Sequence, residues 1–159
     1  MLRALPRLGL ATLCVVSFAA CGHGSSGYLA PSSPQATVTA FLDAVQANNL
    51  DRMSELWGSS GGPARNHMDH TTLEQRLTVI KIYLRHDRFT VLESNAQTLS
   101  TSPDRRVVRV RLSRDGCTPV VPFTTERYGK GWLVSDIDLT AAGNPAVPCA
   151  AADSSGATR

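Results

Sequence analysis

Three groups of side chains in this sequence have the types and spacing for chemistry. His67-Met68-Asp69-His70 sets two imidazoles and a carboxylate within four residues, and these groups commonly ligate zinc and related metals. The run follows a Gly/Ser/Pro-rich stretch, 58–63, and the next histidine, His86, lies sixteen positions beyond His70. Spacing therefore assembles no third ligand, and local structural roles are the stronger reading. His86 falls where an imidazolium would complement the C-terminus of a helix. Asp136 and Asp138 form the second group: an i, i+2 pair of carboxylates on one face of a strand, either of which could serve as a general base. Their competing role is a solvated charge pattern opposite Arg109, Arg111 or Arg127. Asp43 reads as a surface residue. The third group is the cysteines, Cys14, Cys21, Cys117 and Cys149. No phosphate-binding glycine loop or Ser/His/Asp order accompanies any of these groups.

The N-terminus explains two of the cysteines. Arg3 and Arg7 precede a 13-residue apolar run, Leu8 to Ala20, which is shorter than the roughly 20 residues a spanning helix needs. Phe18-Ala19-Ala20-Cys21 resembles the lipobox of bacterial lipoproteins, with Phe in place of the commoner Leu. The resemblance implies cleavage before Cys21, lipid on its sulfur and an extracytoplasmic location in the cell envelope. One acyl chain anchors marginally, at about 0.8 kcal/mol per buried methylene, so the family's two or three chains imply durable attachment to the membrane. Gly22 is not the Asp that retains such proteins at an inner membrane, which favours an outer membrane in a host that has one. The sequence therefore divides into a leader, 1–20, a Gly/Ser/Pro-rich tether, 21–33, a folded domain, 34–149, and a disordered tail, 150–159.

Loss of the leader removes Arg3 and Arg7 and leaves 14 basic residues against 13 acidic ones. A nearly neutral domain without a basic cluster interleaved with aromatics excludes the usual footprint of a nucleic-acid binder. Cys117 and Cys149 remain, and two thiols in an oxidising compartment are most simply a disulfide. Metal ligation and redox chemistry are the alternatives, without a C-x-x-C spacing or a neighbouring His to support them. Closing that loop stabilises a fold by about 3–4 kcal/mol on the chain-entropy account.

Ser33-Pro34 starts a helix, Ser33 capping and Pro34 in the first turn. Val38, Phe41, Leu42 and Val45 follow as one apolar stripe. Asn48-Asn49 interrupts, and Leu50, Met53, Leu56 and Trp57 predict a second, short helix. Thr71-x-x-Glu74 reads as a capping box for a third, with Leu73, Leu77, Ile80 and Leu84 on its inner face. Its β-branched "TVIKIYL" is compatible with a strand on propensity alone, but the periodic run favours helix. From Phe89 the rhythm becomes two. "FTVLESNAQTL", "RVVRVRL", "PVVPFTTERY" and "WLVSDIDL" predict four strands joined by short turns, hence an antiparallel meander. On the last strand the Leu133, Ser135, Ile137 and Leu139 side is expected to face the helices, with Trp132, Val134, Asp136 and Asp138 outward.

The expected fold is therefore α+β: three N-terminal helices packed on a four-stranded antiparallel meander sheet. The order, with "FLDAVQANNLDRMSELW" in front and "GWLVSDI" at the close, resembles the nuclear transport factor 2-like superfamily, and within it the small bacterial lipoproteins. The resemblance spans about residues 34 to 140. A strand pair that fuller members carry between the second and third helices is missing from the pattern, which implies a more open pocket. Phe41, Trp57, Tyr83, Phe123 and Trp132 are the candidate ligand-lining side chains, against the plainer reading as core. The resulting functional expectation is a non-enzymatic, lipid-anchored module for a small apolar ligand or an envelope protein, with no cofactor and no metal. An enzyme of the ketosteroid-isomerase or polyketide-cyclase type, and a scaffold dimerising through its sheet, are the alternatives.

Overall fold

A computed structural model describes residues 30–92 and 102–147. The expected leader, Cys21, most of the expected tether, Cys149, the C-terminal tail and residues 93–99 of the first expected strand lie outside the described residues. Helix α1 is Pro34–Gln46; the Ser33 hydroxyl accepts from the Ala36 amide at 3.1 Å, and proline fills the first position. Asn48 adopts a left-handed φ of 53° that asparagine tolerates better than most residues. Asn49 then caps α2, Leu50–Leu56, accepting from the Arg52 amide at 2.9 Å. The Asn-Asn interruption is thus a turn followed by a cap.

A small hairpin, β1 (Gly58–Ser59) and β2 (Gly62–Pro63), and a single 3₁₀ turn, Ala64–Asn66, come next. A strand pair between the second and third helices is therefore present, though two residues long. Its strands approach so closely that a Cβ on Gly58 would collide with the Gly62 carbonyl. Helix α3 is His70–Tyr83. The "TVIKIYL" stretch is helical, because Leu73, Leu77, Ile80 and Leu84 are buried by helical spacing while Val79 and Ile82 face out. Its cap is Asp69 rather than Thr71: the carboxylate accepts from the Thr72 amide at 3.0 Å and hydroxyl at 3.1 Å.

Strands β3 (Arg88–Val91), β4 (Arg105–Ser113), β5 (Val120–Tyr128) and β6 (Gly131–Ile137) form one antiparallel sheet in the order β3-β4-β5-β6, the expected meander. A fourth helix, α4 (Leu139–Ala142), follows the sheet, so helices are not confined to the front of the chain. The arrangement is α+β, with the helices covering one face. Val108, Val110, Leu112, Val121, Phe123, Val134 and Ile137 meet Val38, Phe41, Leu42 and Leu77 in one contiguous core. The chain before α1 already belongs to this body, since the Pro31 carbonyl accepts from the Trp132 amide at 2.9 Å. The Thr37 hydroxyl adds a buried bond to the Trp132 carbonyl at 3.1 Å.

The expected assignment of faces on β6 holds at Asp136, Ile137 and Asp138, which are exposed, buried and exposed in turn, but not before them. Phe123 pairs with Ile137 and Thr124 with Asp136, but Thr125 pairs with Val134. Ser135 is the extra residue of a bulge, and an extra residue reverses the alternation past it. Val134 and Ile137 consequently both join the core, although they lie three positions apart.

Candidate functional site

Among the described residues, a cleft of about 420 Å³ lies between α2, the 3₁₀ turn and α3. Helical spacing builds its floor: Leu50 opens α2, and Leu73 and Leu77 are one turn apart on α3. Leu73 and Leu77 are buried and also belong to the core, which holds the floor in place. On one wall Glu55 is held between two guanidiniums, at 2.7 Å from Arg52 and 2.7 Å from Arg65. These bonds use both carboxylate oxygens, so Glu55 is fixed in place and its charge is compensated. At the mouth His70 Nδ1 stands 3.9 Å from Glu74 Oε2, with Asp51 and Ser54 opposite. Set against Asp51, Glu55 and Glu74, the two guanidiniums leave the cleft with one negative charge in excess. Such a cleft suits a small ligand with an apolar body and a cationic or hydrogen-bond-donating end.

Of the candidate functional residues singled out from the sequence only His70 lines this cleft; the candidate aromatics lie elsewhere. Phe41 and Phe123 are fully buried in the core. Trp57 is half-buried against Phe41, ring centroids 6.2 Å apart, and borders a second, shallower cleft of about 310 Å³ with Gly58, His67 and Ser135. Trp132 is buried beneath the Arg127 guanidinium, 4.6 Å from its ring centre. Tyr83 is half-buried at the end of α3. The five aromatics do not converge on a common space.

The two histidine-bearing sites resolve into local roles. His67 Nε2 lies 2.9 Å from the Gly61 carbonyl and braces the hairpin, Asp69 caps α3, and His70 faces Glu74. No cluster of three metal-ligating side chains occurs among the described residues. His86 is buried, its Nδ1 2.8 Å from the Leu84 carbonyl just past α3 and its ring edge-on to Phe89. Asp136 and Asp138 are both exposed. Asp138 caps α4, and the Thr140 hydroxyl together with the Ala141 amide holds its carboxyl below the ordinary range. Arg127 pairs with Asp104 at 2.9 Å instead of either aspartate. Cys117 is disulfide-bonded, and its expected partner Cys149 lies outside the described residues.

Sequence reading passed over Arg114. Its guanidinium is buried and donates to the carbonyls of Tyr83, Arg85 and Ala142, tying the end of α3 to the end of α4. Burial lowers its proton affinity, reinforced by Arg85 and opposed by Asp115, but a guanidinium stays charged under such shifts. The alternation Val108, Val110, Leu112 was the available signal, because its next member is Arg114. The α2–α3 cleft was missed for a different reason, since its polar residues come from three elements and share no motif.

Compared with known families, curated proteins and solved structures, the chain matches no family model, no curated protein and no solved structure. No helix among the described residues is long and apolar enough to cross a membrane.

Proposed function

We propose that this chain is an extracytoplasmic lipoprotein, tethered through lipid on Cys21, whose nuclear transport factor 2-like body binds a small apolar ligand without transforming it. The α2–α3 cleft carries the reading: it has a leucine floor, a clamped carboxylate on its wall and an acidic mouth. A concave site of this size favours a small molecule over an envelope protein, which would need a broader surface. The isomerase-type alternative draws no support from Asp136 and Asp138, which stand in solvent where a base gains nothing from enclosure. Leader, lipobox and Gly/Ser/Pro tether support the location.

Two experiments test the proposal separately. N-phenylnaphthylamine, an uncharged apolar amine, should show saturable fluorescence enhancement with the leader-free chain. Ser54→Trp, which plugs the mouth from a partly exposed position, should abolish it. Unchanged saturable binding by the variant would overturn the cleft as the site. For the tether, cells fed labelled palmitate should incorporate it into the native chain and not into Cys21→Ser. Label retained by that variant would refute lipidation at this residue.

A further inference from the structure

The face of the sheet turned away from the helices is charged unevenly. On its β3–β4 half lie Arg88, Arg105, Arg109 and Arg111, all exposed. The acids of this face, Glu126 and Asp136, sit on β5 and β6. Register shows what each arginine meets. Arg105 is opposite Glu126, but Arg109 faces Pro122, Arg111 lies between Thr90 and Val120, and Arg88 pairs with Ser113. Arg88, Arg109 and Arg111 therefore have no acid directly across the ladder. Among the described residues none of their guanidiniums has a hydrogen-bond or ion-pair partner.

Arg109 and Arg111 are an i, i+2 pair, about 7 Å apart along the strand. Arg88 is diagonal to Arg111, at about 7–8 Å. Half-buried Val107, Val120 and Pro122 fill the gaps between them. The result is a patch of three uncompensated cations on an apolar ground.

We infer that this half of the open face docks against an anionic membrane surface, its guanidiniums engaging headgroup phosphates. Charge complementarity selects the partner, because guanidinium and phosphate pair well and an anionic surface attracts clustered cations. A second copy centred on this half is disfavoured, since a two-fold interface there would oppose arginine to arginine. Chain geometry agrees. Ala30 lies against Gly131 so closely that a Cβ there would collide with it, which fixes where the tether leaves the sheet. From Ala30 back to Cys21 is nine residues, at most about 32 Å of extended chain. From β6 to β4 and β3 is about 10–14 Å across the ladder. The choice of a membrane as source of the anions rests on the lipid-anchor reading; the patch itself does not.

The test uses the leader-free chain with Cys21→Ser, which retains every residue of the core, and vesicles of phosphatidylcholine with or without phosphatidylglycerol. Co-sedimentation should require the anionic lipid and weaken as salt is raised. The pair Arg109→Gln, Arg111→Gln should lower partitioning about thirtyfold. The control pair Arg76→Gln, Lys81→Gln on α3 should leave it unchanged. Equal binding to neutral vesicles, an equal loss in the control pair, or no binding to anionic vesicles at low salt would each overturn the inference. Because this chain carries no acyl group, its behaviour is independent of palmitate labelling, and either result can fail alone.

Discussion

The two faces of the four-stranded sheet differ in almost every respect, and β4 shows the difference residue by residue. Val108, Val110 and Leu112 have 0–1% of their surface exposed, while Arg105, Arg109 and Arg111, interleaved with them, are exposed. One face is covered by helices, α1 and α4 most directly, and supplies the fold's cohesion; the other is open and supplies charge. A period of two lets a single strand do both, since neighbouring side chains never share an environment. The consequence is a separation of labour, in which substitutions on the covered face should act on stability and those on the open face on association.

The largest expected effect lies at the centre of the covered face. Phe123→Ala removes a fully buried ring and leaves a cavity, and should cost about 3–5 kcal/mol in denaturant unfolding. A cost near zero there would erase the distinction between the faces. Next comes the edge of the core, where Arg114→Leu leaves the carbonyls of Tyr83 and Ala142 without their donor. That variant should lose about 2–3 kcal/mol, read as a lower thermal midpoint.

A smaller effect concerns acid. The Thr72 amide, then its hydroxyl, hold the Asp69 carboxyl below the ordinary aspartate range. The folded value is the lower one, so the bonus is complete above the unfolded value and disappears as pH falls through the folded one. Asp69→Ala should therefore flatten the acid limb of the stability profile and leave its neutral-to-alkaline shape unchanged. The smallest effect belongs to the open face. Arg109→Gln with Arg111→Gln should change stability by no more than about 0.5 kcal/mol per site in the same unfolding assay, even as vesicle binding collapses. A large loss of stability would mean that these arginines serve the fold.

How much of this was legible in the sequence depended on how local the cause was. The α1 cap at Ser33, the burial of Val108, Val110 and Leu112, and the meander followed from neighbours within a few positions. At the start of α3, Asp69 and Thr71 were both competent caps; the carboxylate prevails by accepting two bonds from Thr72, a difference no spacing reveals. The β6 bulge at Ser135 has no glycine to mark it, because it is set by register with β5. Strands of two residues, as in β1 and β2, are too short to leave an alternation. The α2–α3 cleft depends on how two helices pack, and Leu50, Leu73 and Leu77 read in sequence only as core. Arg114 was legible in principle, but an arginine before Asp-Gly reads more readily as a turn.

The central claim is that the ligand site lies on the helix side, apart from the open sheet face. Amide chemical shifts of the leader-free chain, followed during titration with N-phenylnaphthylamine, test it most directly. The account predicts saturable shifts at Leu50, Ser54, Leu73 and Leu77 with Arg109, Arg111 and Pro122's neighbours unmoved. Shifts concentrated on β4 and β5, or spread evenly through the core, would contradict it.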